Sequence, residues 1–134
     1  MPSQRKTFIL FVLLALAGLP LGCSENKASG DADMQRRKSH LAQIYEFYMM
    51  FSKGNQRPPK QLADFKQYQG IDPVVLKALE NGDYFAIWGV SLSKDPGAVI
   101  AYEKDAPTKG GLVLLADSAV KKMTAQEVLA ATKH

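Results

Sequence analysis

The sequence predicts an α+β domain, a long helix laid against a small antiparallel meander. Leu41, Ile44, Tyr45, Tyr48 and Phe51 recur at helical spacing within one long segment. After Gly82 that period gives way to short runs rich in aromatic and β-branched residues, each bounded by turn residues. Helices first and strands afterwards is the order of an α+β arrangement, not of alternating parallel units.

The long helix is expected over 34–52. Arg37, Lys38, Gln43 and Glu46 lie mostly off its apolar stripe. Phe47, Met49 and Met50 widen that stripe, so the C-terminal half is expected to be covered from two sides, and Lys53-Gly54-Asn55 ends it. Pro58-Pro59 opens a short helix over 60–68 with Leu62, Phe65 and Tyr68 inward. Asp72-Pro73 supplies an N-cap and a first helical residue for a helix over 74–80. Asn81-Gly82 closes it, glycine being free to take positive φ.

Strands are expected over 84–90, 98–102 and 111–116, separated by a polar loop with an Asp95-Pro96-Gly97 turn and a charged loop over 103–110. Asp117-Ser118 makes a tight turn into a fourth strand over 119–123, the hairpin partner of the third. Thr124, with Glu127 three residues on, forms a capping box for a last helix to about residue 132. Alternation puts Trp88 on one strand face with Tyr84 and Ala86, against the first helix near Tyr48.

Upstream, Arg5 and Lys6 precede an apolar run over 8–21 that closes in Leu21-Gly22-Cys23-Ser24. A charged start, an apolar middle and small residues make the pattern of an export signal. The run is shorter than the roughly 20 residues that span a bilayer. The cysteine after Gly22 makes it resemble a bacterial lipoprotein signal, cleaved before Cys23, with acyl chains such as palmitate on the thiol and new amine. Pro20 stands where such signals usually carry leucine. The alternatives are an uncleaved anchor and cleavage after Ala15-Leu16-Ala17. The reading divides the chain into a signal (1–22), a lipidated cysteine and flexible tether (23–33) and one domain (34–134). The polar tether has an r.m.s. reach of about 17 Å. The address is the cell envelope, with Ser24 favouring the outer membrane, facing the periplasm or the surface.

Removal of the signal leaves 112 residues, enough for one domain with a modest core. It takes two of the 17 basic residues and none of the 13 acidic ones, so the formal charge falls from +4 to +2. Arg36-Arg37-Lys38 is the only basic triplet, without the interleaved aromatics of a nucleic-acid surface, and nucleic acid is not an expected partner. The triplet reads as a solvated helix start or as a contact to anionic lipid heads. The single cysteine leaves no disulfide framework and no Cys-based zinc site. His40 and His134 have no serine or cysteine nucleophile placed by a motif. Lys109-Gly110-Gly111 lacks the order of a phosphate loop, so its glycines read as freeing the backbone where a strand begins. An enzyme is not expected.

One resemblance extends this reading. The helix and the Gly54-x-x-x-Pro58-Pro59 segment lead to Trp88-Gly89-Val90-Ser91-Leu92 and the run from Ala101-Tyr102-Glu103-Lys104-Asp105 through Ala106-Pro107-Thr108-Lys109-Gly110-Gly111. Leu115-Ala116-Asp117-Ser118-Ala119-Val120 and Met123-Thr124 complete the match. Together, over roughly 34–127, they resemble the globular heads of type IV pilins and pseudopilins, most closely the pilin-like proteins abundant in planctomycetes. The chain departs from that pattern twice. The usual Asp-Gly-Ser-Val turn is Asp117-Ser118-Ala119-Val120 here, and the apolar segment ends in Gly22-Cys23 instead of running on as an assembly helix with a glutamate near its start.

The lipoprotein-type signal and the pilin-like head together imply a membrane-anchored lipoprotein whose head is a binding or scaffolding module for an envelope protein partner. A pseudopilin-type component of a secretion or pilus machine and a ligand sensor are the alternatives. Some pseudopilin heads bind calcium, which makes Asp95, Glu103, Asp105 and Asp117, all at strand ends, calcium candidates. Such a site needs several oxygens about 2.3–2.6 Å from the ion, and exposed loop charge is the other reading of these acids. In strand 111–116, Leu112 and Leu114 point one way, Val113 and Leu115 the other. One long helix covers one face, so Val113 and Leu115 are expected on a partner-binding face unless the 91–97 loop and the short helices fold over it.

Overall fold

The computed structural model describes residues 25–68 and 70–133, so the export-signal segment, Cys23 and His134 lie outside the described residues. The helices are α1 (Glu25–Asn55), α2 (Leu62–Lys66), α3 (Pro73–Glu80), α4 (Ala106–Lys109) and α5 (Ala125–Ala131). The strands β1 (Tyr84–Ala86), β2 (Val99–Glu103), β3 (Gly111–Leu115) and β4 (Val120–Met123) form one antiparallel meander in sequence order. The chain therefore adopts the expected α+β class. Among the described residues no helix is long and apolar enough to cross a membrane.

α1 begins nine residues before the apolar periodicity does, so the stretch read as a flexible tether is helical from Glu25 onward. A stretch without core-forming residues reads as coil, but a helix already nucleated gains one hydrogen bond for each residue it adds. No proline interrupts this one, and Asp33 pairs with Arg36 and Arg37 along the same face. Residues 28–32 are exposed, and Met34 is the first side chain to reach the core.

α2 is shorter than the expected 60–68. The buried Asp64 turns back on the segment before the helix, its Oδ2 accepting from Lys60 N at 2.7 Å and Arg57 Nη1 at 3.3 Å. The bond from the Lys60 N–H, assisted by Arg57, holds this carboxyl below its usual range. Tyr68, beyond the helix, returns to the end of α1, its ring 5.9 Å from that of Phe51. α3 starts as the sequence predicts, with Asp72 Oδ1 accepting from Val74 N at 2.9 Å.

The sheet is covered on both faces. On one face Leu41, Ile44 and Tyr48 of α1, with Phe65 of α2 and Val75 of α3, pack on Tyr84, Ala101, Leu112 and Leu114. On the other, Val99, Val113 and Leu115 lie beneath Val128 of α5 and Ala106 of α4. Val113 is 0 % and Leu115 4 % exposed, so the expectation of a partner-binding face at these two residues is overturned. Alternation places them on the correct side, but α4, a single turn inside the charged loop, and α5 close over them. α5 is held there by the expected capping box. Glu127 Oε2 accepts from Thr124 N at 2.7 Å and from Thr124 Oγ1 at 2.9 Å, and these two bonds hold the Glu127 carboxyl below its usual range, while Thr124 Oγ1 accepts from Glu127 N at 3.3 Å.

β1 stops at Ala86, four residues short of the expected strand. Gly89 turns the chain with φ +82° and donates to Pro59 O at 2.8 Å. Tyr48 Oη donates to Ile87 O at 3.1 Å and accepts from Val90 N at 2.8 Å. This ties the turn to α1, and burial pushes the phenol pKa up. Trp88, half-buried, packs on the core cluster that includes Tyr48 and meets Phe65 of α2 edge-on at 5.1 Å.

In the β3–β4 turn, Ser118 takes φ +74°, the conformation that the glycine of the pilin pattern would accept freely. Asp117 Oδ1 accepts from Ala119 N at 2.9 Å and fixes the turn from within. A left-handed L-residue costs roughly 1–2 kcal/mol, offset in part by the flexibility a glycine adds to the unfolded chain. Ser118→Gly is therefore expected to stabilise the domain by about 0.5–1 kcal/mol. A denaturation midpoint at or below that of the parent would refute this.

Candidate functional site

Glu103, the last residue of β2, is a carboxylate on an otherwise apolar strand, and only 9 % of it is exposed. Oε1 accepts from Arg37 Nη1 of α1 at 2.9 Å, and Oε2 accepts from Leu112 N of β3 at 2.7 Å. Arg37 Nε lies 3.1 Å from Asp33 Oδ2, a Coulombic contact without hydrogen-bond alignment. One buried carboxylate thus fastens the helix to two strands. Gly111 makes the room for it, since a Cβ there would lie 2.8 Å from Glu103 Oε2. Gly110, with φ +75°, brings the backbone so close to β4 that a Cβ would meet Met123 O at 2.8 Å. The Gly110-Gly111 pair therefore frees the backbone where β3 begins, as the sequence predicts.

Beside this clamp opens a cleft of about 700 Å³ between α1, α3 and the end of β2. It lies where α1 enters the domain, the end nearest Cys23 in the chain. Arg36, Arg37, Lys77, Lys104 and Lys109 line it against Asp83, Glu103 and Asp105. Arg36 and Arg37 are engaged by Asp33 and Glu103, and Lys109 by Asp105 at 3.4 Å. Lys77, Lys104 and Asp83 form no side-chain ion pair among the described residues, so the cleft keeps a positive excess.

His40 forms part of its wall, with Nδ1 3.2 Å from Tyr84 Oη and the rings edge to face at 5.8 Å. Burial, and then the Glu103 charge, push the Tyr84 hydroxyl up to about 12. It stays protonated at neutral pH and keeps a donor for the imidazole. The arrangement can hold an anion by charge and hydrogen bonding.

The four calcium candidates do not converge. Asp95 precedes β2 and Asp117 follows β3, at one end of the sheet, where Asp95 Oδ1 accepts from Gly97 N at 3.1 Å and Asp117 caps its own turn. Glu103 and Asp105 lie at the other end, committed to Arg37, Leu112 and Lys109. Among the described residues no three His, Cys, Asp or Glu side chains are grouped to hold a metal. Arg36 and Arg37 of the basic triplet do reach the cleft. Its remaining cations and Tyr84 are missed by sequence reasoning, and the one available signal was a charge, Glu103, closing an apolar strand. Compared with protein-family models, curated proteins and solved structures, the chain gives no match.

Proposed function

We propose that the chain is a lipid-anchored envelope protein whose pilin-like head is a binding module, with the basic cleft as its ligand site. The observation that carries this reading is the cleft itself, in which Lys77 and Lys104 stand without side-chain ion pairs among the described residues, beside the fixed Arg37–Glu103 clamp. A site of this charge suits an anionic group on a partner or ligand. A positive surface at the end nearest Cys23 also accords with an anchor in that position. The second reading, a pseudopilin-type component, draws on α1, which runs beyond the core as a continuous helix for nine residues.

Two measurements test the proposal. Replacing Cys23→Ala is expected to move the protein from the membrane to the soluble fraction and to abolish the acyl mass carried by the parent. Membrane retention of the variant, with no lipid on the parent, would sink the anchoring half. Calorimetric titration of the full chain with pyrophosphate probes the cleft. Exposed charges each contribute on the order of 1 kcal/mol or less, so Lys77→Glu with Lys104→Glu is expected to weaken binding by about tenfold. Equal affinity in the two proteins would remove the cleft from the proposal.

A further inference from the structure

Asp33 of α1 engages both arginines of the cleft at once. One carboxylate oxygen pairs with Arg36, and the other lies 3.1 Å from Arg37 Nε, one turn along the same helix face. The Arg36 side chain is 68 % and the Asp33 side chain 46 % exposed. Ion pairs so open to water hold their partners only weakly.

Arg37 is the less satisfied of the two. A guanidinium presents several N–H donors in one rigid fork, and here a single one makes a charge-assisted bond, from Nη1 to Glu103 Oε1 at 2.9 Å. Nη2 donates to the Met34 thioether at 3.8 Å, a weak acceptor. Nε is buried and has no aligned acceptor, the one such side-chain atom among the described residues. Buried polar groups are normally hydrogen-bonded, and an exception needs a reason. This unused donor capacity belongs to a residue that lines the cleft.

We propose that Asp33 is a built-in competitor of the cleft's ligand, its carboxylate occupying Arg36 and Arg37 until a multiply charged phosphate group displaces it. The inference rests on the reading of the cleft as an anion site. The helix holds Asp33 beside both arginines at a high effective concentration, so a free monocarboxylate offers them nothing that they lack. A phosphate monoester or pyrophosphate brings about two or more negative charges and extra acceptor oxygens, and Lys77 and Lys104 of the same cleft attract it further. Glu103 keeps Nη1 throughout, so the guanidinium stays in place while its other donors change partner. The singly charged diester of a phospholipid head falls below the threshold that Asp33 sets.

Calorimetric titration of the full chain with pyrophosphate tests this. Asp33→Asn frees both arginines and is expected to tighten binding about fivefold. Asp83→Asn removes the same charge from the cleft wall but releases no arginine, and its gain should be about twofold at most. A gain from Asp33→Asn no larger than that from Asp83→Asn would overturn the proposal and leave the cleft an anion site. Absence of binding in the parent and in both variants would overturn the two together. In the unaltered chain, pyrophosphate is expected to shift the Arg37 Nε–H resonance and slow its exchange with water. Acetate and dimethyl phosphate, each singly charged, should leave it unmoved. An unmoved resonance with pyrophosphate bound, or equal movement with either control anion, would also overturn the proposal.

Discussion

Phe65→Ala is expected to cost the domain about 3–5 kcal/mol, the range for removing a fully buried aromatic side chain. Phe65 is 0 % exposed. Its ring meets Trp88 at 5.1 Å, Phe47 at 6.0 Å and Tyr48 at 6.3 Å, all edge-on or tilted. The side chain joins α1, α2 and the turn after β1 at one point, so its loss opens a cavity that no single neighbour can fill. Against a total stability of roughly 5–15 kcal/mol, the melting midpoint should fall by about 15–30 °C. Trp88, the only tryptophan, reports on the same site, and its emission should shift to the red in the folded variant. A midpoint within a few degrees of the parent would show that the aromatic cluster does not hold the layers together.

The clamp at Glu103 gives the second large effect. Glu103→Ala removes the acceptor from Arg37 Nη1 and from Leu112 N together. Breaking a fully buried pair costs about 3–5 kcal/mol, but the Arg37 side chain is 35 % exposed and water relieves part of its charge. The expected loss is therefore about 2–3 kcal/mol. Glu103→Gln keeps an acceptor for one donor and should lie between alanine and the parent. Arg37→Ala combined with Glu103→Ala should cost less than the two single losses added, since each variant removes the same contact. Strict additivity in chemical denaturation would mean that the two side chains are not coupled.

What was legible in the sequence was local. Leu41, Ile44 and Tyr48 mark their face by spacing alone. The caps at Asp72 and Thr124 work through hydrogen bonds two or three residues long. The features that escaped depend on partners far along the chain. β1 ends early because Val90 bonds to Tyr48, 42 residues away, and nothing within residues 84–90 announces that contact. α4 is a short turn whose Ala106 is buried between β3 and the returning α5. The cleft depends on Arg37 finding Glu103 across 66 residues. For Val113 and Leu115 the alternation was legible and the cover was not, because α5 offers one buried aliphatic side chain, Val128, and composition alone undervalues it.

The helical stub ahead of Met34 has a consequence for orientation. A coil transmits no direction, but a helix couples length to angle, with each residue advancing about 1.5 Å and turning about 100°. Inserting two residues within 28–32 would swing the basic cleft to nearly the opposite azimuth about the α1 axis. Seven residues would restore the original bearing about 10 Å farther out. The number of residues in that stub thus sets which way the head faces relative to the start of α1, as well as how far it stands from it.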